Sequence, residues 1–156
     1  MKRLSLVLLI ICMGLAIFTG CAQKAESAEY DLATLATKLQ DSGAFSDFLS
    51  PITKEIAASF YGFEDADVTD CVVYCSTGAT TEEIALFKCA NEAAATKIKA
   101  NADNRIKTQK AIYESYAPAE PPKLDDAIVK QDGLYVFYIV SADTAKAQAV
   151  LDSLNK

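Results

Sequence analysis

The stretch from Val68 to Phe87, VTDCVVYCSTGATTEEIALF, sets the order of the elements in the centre of the chain. Its first half, Val68 to Thr77, is rich in β-branched and aromatic residues, which favours a strand with both faces partly apolar. Thr80 and Glu83 then have the spacing of a capping box at a helix N-terminus. Good helix formers, many of them alanine, continue to about Tyr116. The stretch therefore predicts a strand followed by one long helix.

Two helices are predicted on the N-terminal side of this strand. Asp31 is a typical N-cap for the first helix, and Ser42-Gly43 ends it. Ser50-Pro51 supplies the cap and first turn of the second helix, which closes at Gly62. The apolar stripes that these helices would bury are Leu32, Leu35, Ala36 and Leu39 in the first, and Ile52, Ile56 and Phe60 in the second.

The C-terminal side predicts an extended connector, a hairpin and a last helix. Three prolines between residues 118 and 122 give the connector. Ala127–Val129 and Leu134–Val140 are predicted strands, joined at Asp132-Gly133, a strong hairpin signal. The last helix begins near Asp143 and carries Ala147, Val150, Leu151 and Leu154. This order predicts an α+β fold, in which a small, mostly antiparallel three-stranded sheet packs in two layers against helices including the long one.

The first 21 residues have the pattern of an export signal. Lys2 and Arg3 precede an apolar run, Leu4 to Phe18, which is shorter than the roughly 20 apolar residues that a membrane-spanning helix needs. The run leads into Phe18-Thr19-Gly20-Cys21, which resembles the lipobox of bacterial lipoproteins. In that motif the signal is cut before the cysteine, and the cysteine thiol carries a diacylglycerol. The resemblance predicts cleavage after Gly20 and a stable two-chain membrane tether on Cys21.

The predicted organisation is a signal peptide at 1–20, a lipidated cysteine with a flexible stalk at 21–29, and a single extracytoplasmic α+β domain at 30–156. The stalk consists of small and polar residues and shows no periodic pattern of apolar residues. The full chain has a net charge of −6, which becomes −8 once the two basic residues of the signal are removed. Because nucleic acid repels an acidic domain, it is not an expected partner.

Three segments resemble an uncharacterised family of short lipoproteins from Gram-positive bacteria, a domain of unknown function. They are FYGFEDADVTDCVVYCSTGATTEEIALFK, RIKTQKAIYESYAP and GLYVFYIVS. The resemblance spans nearly all of the chain from Asp31 to Asn155. It implies an anchored domain on the outer face of a single membrane, and it carries no activity or catalytic residue.

The cysteines are the main candidates for reactive groups, because the chain contains no histidine to act as a general base. Cys71 and Cys75 lie four residues apart in the predicted strand, about 13 Å at 3.3 Å per residue. That distance is too long for a disulfide. Cys89 is predicted to lie on a helix face turned away from the strand. We interpret Cys71 and Cys75 as small buried hydrophobes, and the alternative is an anchored redox accessory or enzyme that uses Cys71, Cys75 or Cys89.

Two short runs resemble ion-binding sites in part, but neither is predicted to bind an ion. Asp65, Asp67 and Asp70 cluster carboxylates, but the run lacks the glycine and distal glutamate of a calcium loop. STGATTEE resembles a phosphate cradle at a helix N-terminus, but Glu82 and Glu83 would repel the anion. Neither a metal nor a cofactor is expected.

The candidate ligand contacts lie in the predicted long helix. Arg105, Gln109 and Tyr113 follow one another at four-residue steps, so they share one face of the helix. A guanidinium beside an amide and a phenol suits a carboxylate or a sulfate, although Arg105 paired with an acidic neighbour is the alternative. The surrounding half of the helix is locally basic, with Lys97, Lys99, Lys107 and Lys110.

These features predict a membrane-anchored bacterial lipoprotein with an extracytoplasmic binding or interaction domain. The expected partners are the membrane, through diacylglyceryl-Cys21, and an envelope protein or a small anionic ligand. An enzyme is not expected, because no catalytic set is recognisable.

Overall fold

The computed structural model describes residues 29–155. The predicted signal peptide, the cleavage site at Gly20 and the lipidated Cys21 lie outside the described residues. Within them the elements, in chain order, are α1 (Leu32–Asp41), β1 (Leu49–Pro51), α2 (Lys54–Tyr61), β2 (Val68–Ser76), β3 (Glu83–Cys89), α3 (Glu92–Tyr116), α4 (Pro121–Asp125), β4 (Ile128–Asp132), β5 (Tyr135–Val140), α5 (Thr144–Asp152) and a 3-10 turn (Ser153–Asn155).

The strands form one antiparallel sheet of five in the order β1-β2-β3-β5-β4. The α+β class fits, but the predicted three-stranded sheet is wrong. β1 lies where a helix cap was predicted, and β3 lies where the long helix was predicted to begin. β3 is the central strand of the sheet, with β2 on one side and β5 on the other.

The sequence of β3 explains why it was mistaken for a helix. Ile84 and Leu86 pack on one face of the sheet, whereas Ala85 and Phe87 pack on the other. A strand buried on both faces reads as a continuous apolar run, which periodicity does not distinguish from a buried helix segment. The long helix α3 begins only after Asn91, whose side chain accepts a hydrogen bond from the Ala94 N–H at 2.9 Å.

Helices cover both faces of the sheet, so the predicted two-layer arrangement is also wrong. On one face, α1 and α5 bury Leu39 and Leu151 against Leu86. On the other face, α2 and α3 pack against the sheet, with Ile98 and Phe87 in the same cluster. The sheet therefore lies between two helical layers, each with its own apolar core.

Several local predictions are confirmed. Asp31 caps α1 by accepting a hydrogen bond from the Thr34 N–H at 2.9 Å, and the four predicted stripe residues of α1 are buried. Asp143 caps α5. The β4–β5 hairpin turns where Asp-Gly predicted it, with Gly133 at a φ of 56°. α3 ends at Tyr116 as expected.

α2 and α4 differ from the prediction. Thr53, not Ser50, is the N-cap of α2, although the helix does end at Gly62 in the left-handed conformation. α2 turns Ala57 and Tyr61 to the core, so the predicted stripe residues Ile56 and Phe60 are exposed. The segment predicted as an extended connector contains α4, whose first residue is a proline, as is common at helix starts.

None of the helices within residues 29–155 combines the length and the apolar character needed to cross a bilayer.

Candidate functional site

A groove runs along α3, beside the end of α2 and the loop between β2 and β3, and is called here the α2–α3 groove. Two adjoining clefts of about 170 and 200 Å³ form it, and both are lined by Phe60 and Arg105. Its α3 wall consists of Asn101, Asn104, Arg105, Thr108, Gln109 and Tyr113.

The predicted contacts Arg105, Gln109 and Tyr113 do line one cleft together. Arg105, however, is paired with Glu83. Its Nε donates to Glu83 Oε2 at 2.9 Å and its Nη2 donates to the same oxygen at 2.7 Å. Only 11% of the Arg105 side chain and 4% of the Glu83 side chain are exposed. The charge expected to attract an anion is therefore neutralised within the protein.

Aromatic side chains complete the surroundings of this pair. The Tyr61 hydroxyl donates to Glu83 Oε1 at 2.7 Å, and the Phe60 ring centroid lies 4.5 Å from the Arg105 guanidinium carbon. Burial opposes the charge on Arg105, but the adjacent Glu83 carboxylate raises the pKa of Arg105 above its ordinary value. Arg105 therefore stays charged, and its hydrogen bonds to Glu83 fix the position of the guanidinium under the Phe60 ring.

Tyr113 holds the β2–β3 loop against α3. Its hydroxyl donates to the Thr80 carbonyl oxygen at 2.7 Å, and the Tyr116 hydroxyl donates to the Gly78 carbonyl oxygen at 3.2 Å. Burial and the neighbouring Tyr116 hydroxyl raise the pKa of Tyr113. Of the three predicted contacts, only Gln109 makes no side-chain hydrogen bond to other residues in the 29–155 part of the chain.

Glu82, which precedes the paired glutamate in the chain, is also buried and paired. It accepts hydrogen bonds from Lys123 Nζ at 2.8 Å and from the Ser46 N–H at 2.8 Å, and the Ser46 hydroxyl donates to it as well. Burial alone would raise the pKa of Glu82, but these donors hold it below its usual range. Lys123 also donates to Glu120 at 3.0 Å. Glu82 and Glu83, predicted as residues of a helix start, are therefore buried counterions of two different helices.

The three cysteines in the described residues are free thiols. Cys89 ends β3, opposite Val68 of β2, so its predicted place on a helix is wrong. Burial raises the pKa of Cys71, Cys75 and Cys89, in the last case to about 11. Since the thiolate is the reactive form, these thiols are poor nucleophiles at neutral pH.

The acidic run and the basic half of α3 are largely engaged in ion pairs. Asp65 pairs with Lys54 at 2.6 Å, and Asp67 pairs with Lys97 at 2.7 Å. Lys110 pairs with Asp125. Between residues 29 and 155, no three acidic or cysteine side chains come together as a metal site would require.

Residues 41–141 match the family described as a domain of unknown function, DUF4358. The chain belongs to this family. The DUF4358 match extends from the end of α1 to just beyond β5, so it includes the whole α2–α3 groove. No curated protein and no solved structure matches the chain. The predicted resemblance to a domain of unknown function is confirmed, while its lipoprotein and Gram-positive features stay predictions.

Sequence reasoning missed most of the groove in this DUF4358 domain. Glu83 was assigned to a helix cap, and Phe60 was assigned to a buried stripe. The signal available in the sequence was the four-residue spacing of Arg105, Gln109 and Tyr113, which extends one step earlier to Asn101. Asn101 lines the second cleft and donates to the Tyr61 carbonyl oxygen at 2.7 Å.

Proposed function

We propose that this chain is a membrane-anchored bacterial lipoprotein whose DUF4358 domain binds a component of the cell envelope on the outer side of the membrane. The observation that carries the proposal is the order of Lys2-Arg3, fifteen largely apolar residues and Phe18-Thr19-Gly20-Cys21. Small residues before a cysteine at the end of such a run are typical of a lipidated N-terminus, and two acyl chains on Cys21 give stable anchoring.

The groove supports binding rather than catalysis. Its strongest charges, those of Arg105 and Glu83, neutralise each other at 2.7 Å and are almost fully buried. The adjacent Cys75 has its pKa raised by burial and by the Glu83 carboxylate, so it is held as the neutral thiol. What remains open to a ligand is an uncharged wall of amides, hydroxyls and an aromatic ring, which suits recognition.

Substitution of the tether cysteine tests the proposal. The parent is expected in the membrane fraction, with mass spectrometry showing a diacylglyceryl-modified Cys21 as the first residue. Cys21→Ser should be released into the medium or kept as the uncleaved precursor. Cys12→Ser is the matched control, because it replaces a cysteine within the apolar run, and it should behave as the parent does. A Cys21→Ser chain of mature length that still fractionates with the membrane would overturn the proposal.

A further inference from the structure

Resting on the proposed function, we infer that the α2–α3 groove takes a neutral glycan chain, with the Phe60 ring against a sugar face and the Asn104 and Gln109 amides on sugar hydroxyls. The inference comes from the side chains that remain free after the ion pairs and hydrogen bonds of the fold have been made. Between Asn101 and Tyr113 the α3 wall runs about 18 Å at 1.5 Å per residue, a length that suits an oligomer better than a single sugar.

The ion pairs of the groove and the net charge of the chain favour a neutral ligand over an ion. Arg105 is held by Glu83 through Nε and Nη2, and Glu82 is held by Lys123 nearby. An anion would have to compete with a buried carboxylate for the guanidinium. The net charge, −6 for the full chain and −8 without the signal, also repels it from a distance. A cation would have to displace Arg105 from Glu83. An uncharged polar ligand meets neither obstacle.

The amides supply the complementary hydrogen bonds. The side chains of Asn104 and Gln109 have no hydrogen-bond partner within residues 29–155. The Thr108 hydroxyl between them donates to the main-chain carbonyl oxygen of Asn104 at 3.2 Å, so the hydroxyl oxygen is still able to accept a hydrogen bond. An amide presents two donors and an acceptor side by side. Neighbouring hydroxyls on a sugar present the same pair of functions, so one amide can bind two of them at once.

The aromatic ring supplies the apolar contact. Phe60 is 44% exposed although it lies over Arg105, whose guanidinium carbon is 4.5 Å from the ring centroid. The guanidinium fixes the ring in place, and its open side presents a negative π face. The C–H groups on one side of a pyranose are weakly positive and flat enough to cover such a face.

An extended peptide fits the groove less well. Peptides are usually recognised by pairing with a free strand edge or by placing apolar anchors in a groove. The strand nearest the groove is β2, and its groove-lining end, Cys75 and Ser76, is already paired with β1 on one side and with β3 and the residue before it on the other. The wall formed by Asn104, Thr108 and Gln109 offers no apolar pockets, and apolar anchors would leave these polar groups unpaired.

Titration calorimetry on the full lipidated chain tests the inference, in a zwitterionic detergent that carries no sugar. The neutral probes are cellotetraose and tetra-N-acetylchitotetraose, tetragalacturonate is the anionic counterpart, and a Ser-Gly-Ser-Gly peptide is the peptide control. At least one neutral sugar is expected to bind more tightly than either control. Gln109→Ala should weaken binding about 2- to 12-fold, and Phe60→Leu, which keeps the apolar volume but removes the π face, should weaken it roughly 2- to 12-fold.

Two matched controls lie away from the groove. Phe48→Ala removes a more exposed ring, and Gln148→Ala removes an amide from α5 on the far face of the sheet, so both should bind as the parent does. The inference is lost if neither neutral sugar binds, if tetragalacturonate or the peptide binds more tightly, or if Phe60→Leu and Gln109→Ala bind as well as the parent. Each of these results leaves the anchoring of Cys21 untouched, and the Cys21→Ser experiment decides that separately.

Discussion

Removal of the Arg105 side chain should destabilise the protein strongly. The Arg105→Ala substitution deletes three hydrogen bonds to Glu83, at 2.7, 2.9 and 3.1 Å. It leaves a carboxylate that is only 4% exposed, with neutral donors such as the Tyr61 hydroxyl and no cation paired with it within residues 29–155. Breaking a buried pair by removing one member costs about 3–5 kcal/mol, because the other charge stays buried without compensation. For a domain of this size, that loss lowers Tm by roughly 10–20 °C.

Urea and thermal unfolding followed by far-UV circular dichroism measure the effect. Lys110→Ala is the matched control on the same helix, because its partner Asp125 has a side chain that is 63% exposed, and exposed pairs contribute little. The double variant Glu83→Gln with Arg105→Met should recover much of the stability, since it leaves no buried charge unpaired. If Arg105→Ala lowers Tm no more than Lys110→Ala does, the pair is not buried as described, and the neutral character of the groove is refuted with it.

Three further predictions concern the dependence of stability on pH, the backbone conformation at Gly62 and the number of free thiols. Because the folded protein holds the pKa of Glu82 below its ordinary value of 4.5, its stabilisation is present above that value and is lost as the pH falls through the folded pKa. Glu82→Gln should flatten the dependence of the urea midpoint on pH in the acid range, and an unchanged slope would contradict this. Gly62→Ala should destabilise the protein by about 1 kcal/mol, because residue 62 has a φ of 59°, and equal urea midpoints would contradict it. Mature protein denatured without reductant should show three alkylatable thiols, at Cys71, Cys75 and Cys89, and a count of one would reveal a bridge.

The parts of the fold that depend on neighbouring residues alone were predictable. A cap followed by a regular stripe placed α1, and an Asp-Gly pair placed the turn before β5. The four-residue ladder through Arg105, Gln109 and Tyr113 also identified one wall of the groove. Each of these signals acts within a few residues, so the rest of the fold does not alter it.

The errors came from residues whose roles are set by distant partners. Glu82 and Glu83 were assigned to a helix start rather than to the core, because carboxylates are rarely buried without counterions. Their counterions Lys123 and Arg105 lie 41 and 22 residues further along the chain. Once these acids were taken as a helix start, the apolar run after them was read as helix. The central strand was then lost, and the sheet appeared too small to need helices on both faces.

The ion pairs of Glu82 and Glu83 affect whether the protein unfolds locally or as a whole. Glu83 is paired with a cation of α3, while Glu82 is paired with a cation of α4 and with Ser46 from the loop before β1. If any one of these segments separates from the sheet, a carboxylate at the start of the central strand loses its counterion or its donors while the remaining layer still shields it from water. Partial opening is therefore disfavoured relative to complete unfolding. In hydrogen exchange, the amides of β3 and α3 should therefore share one free energy of opening, as a single cooperative unit.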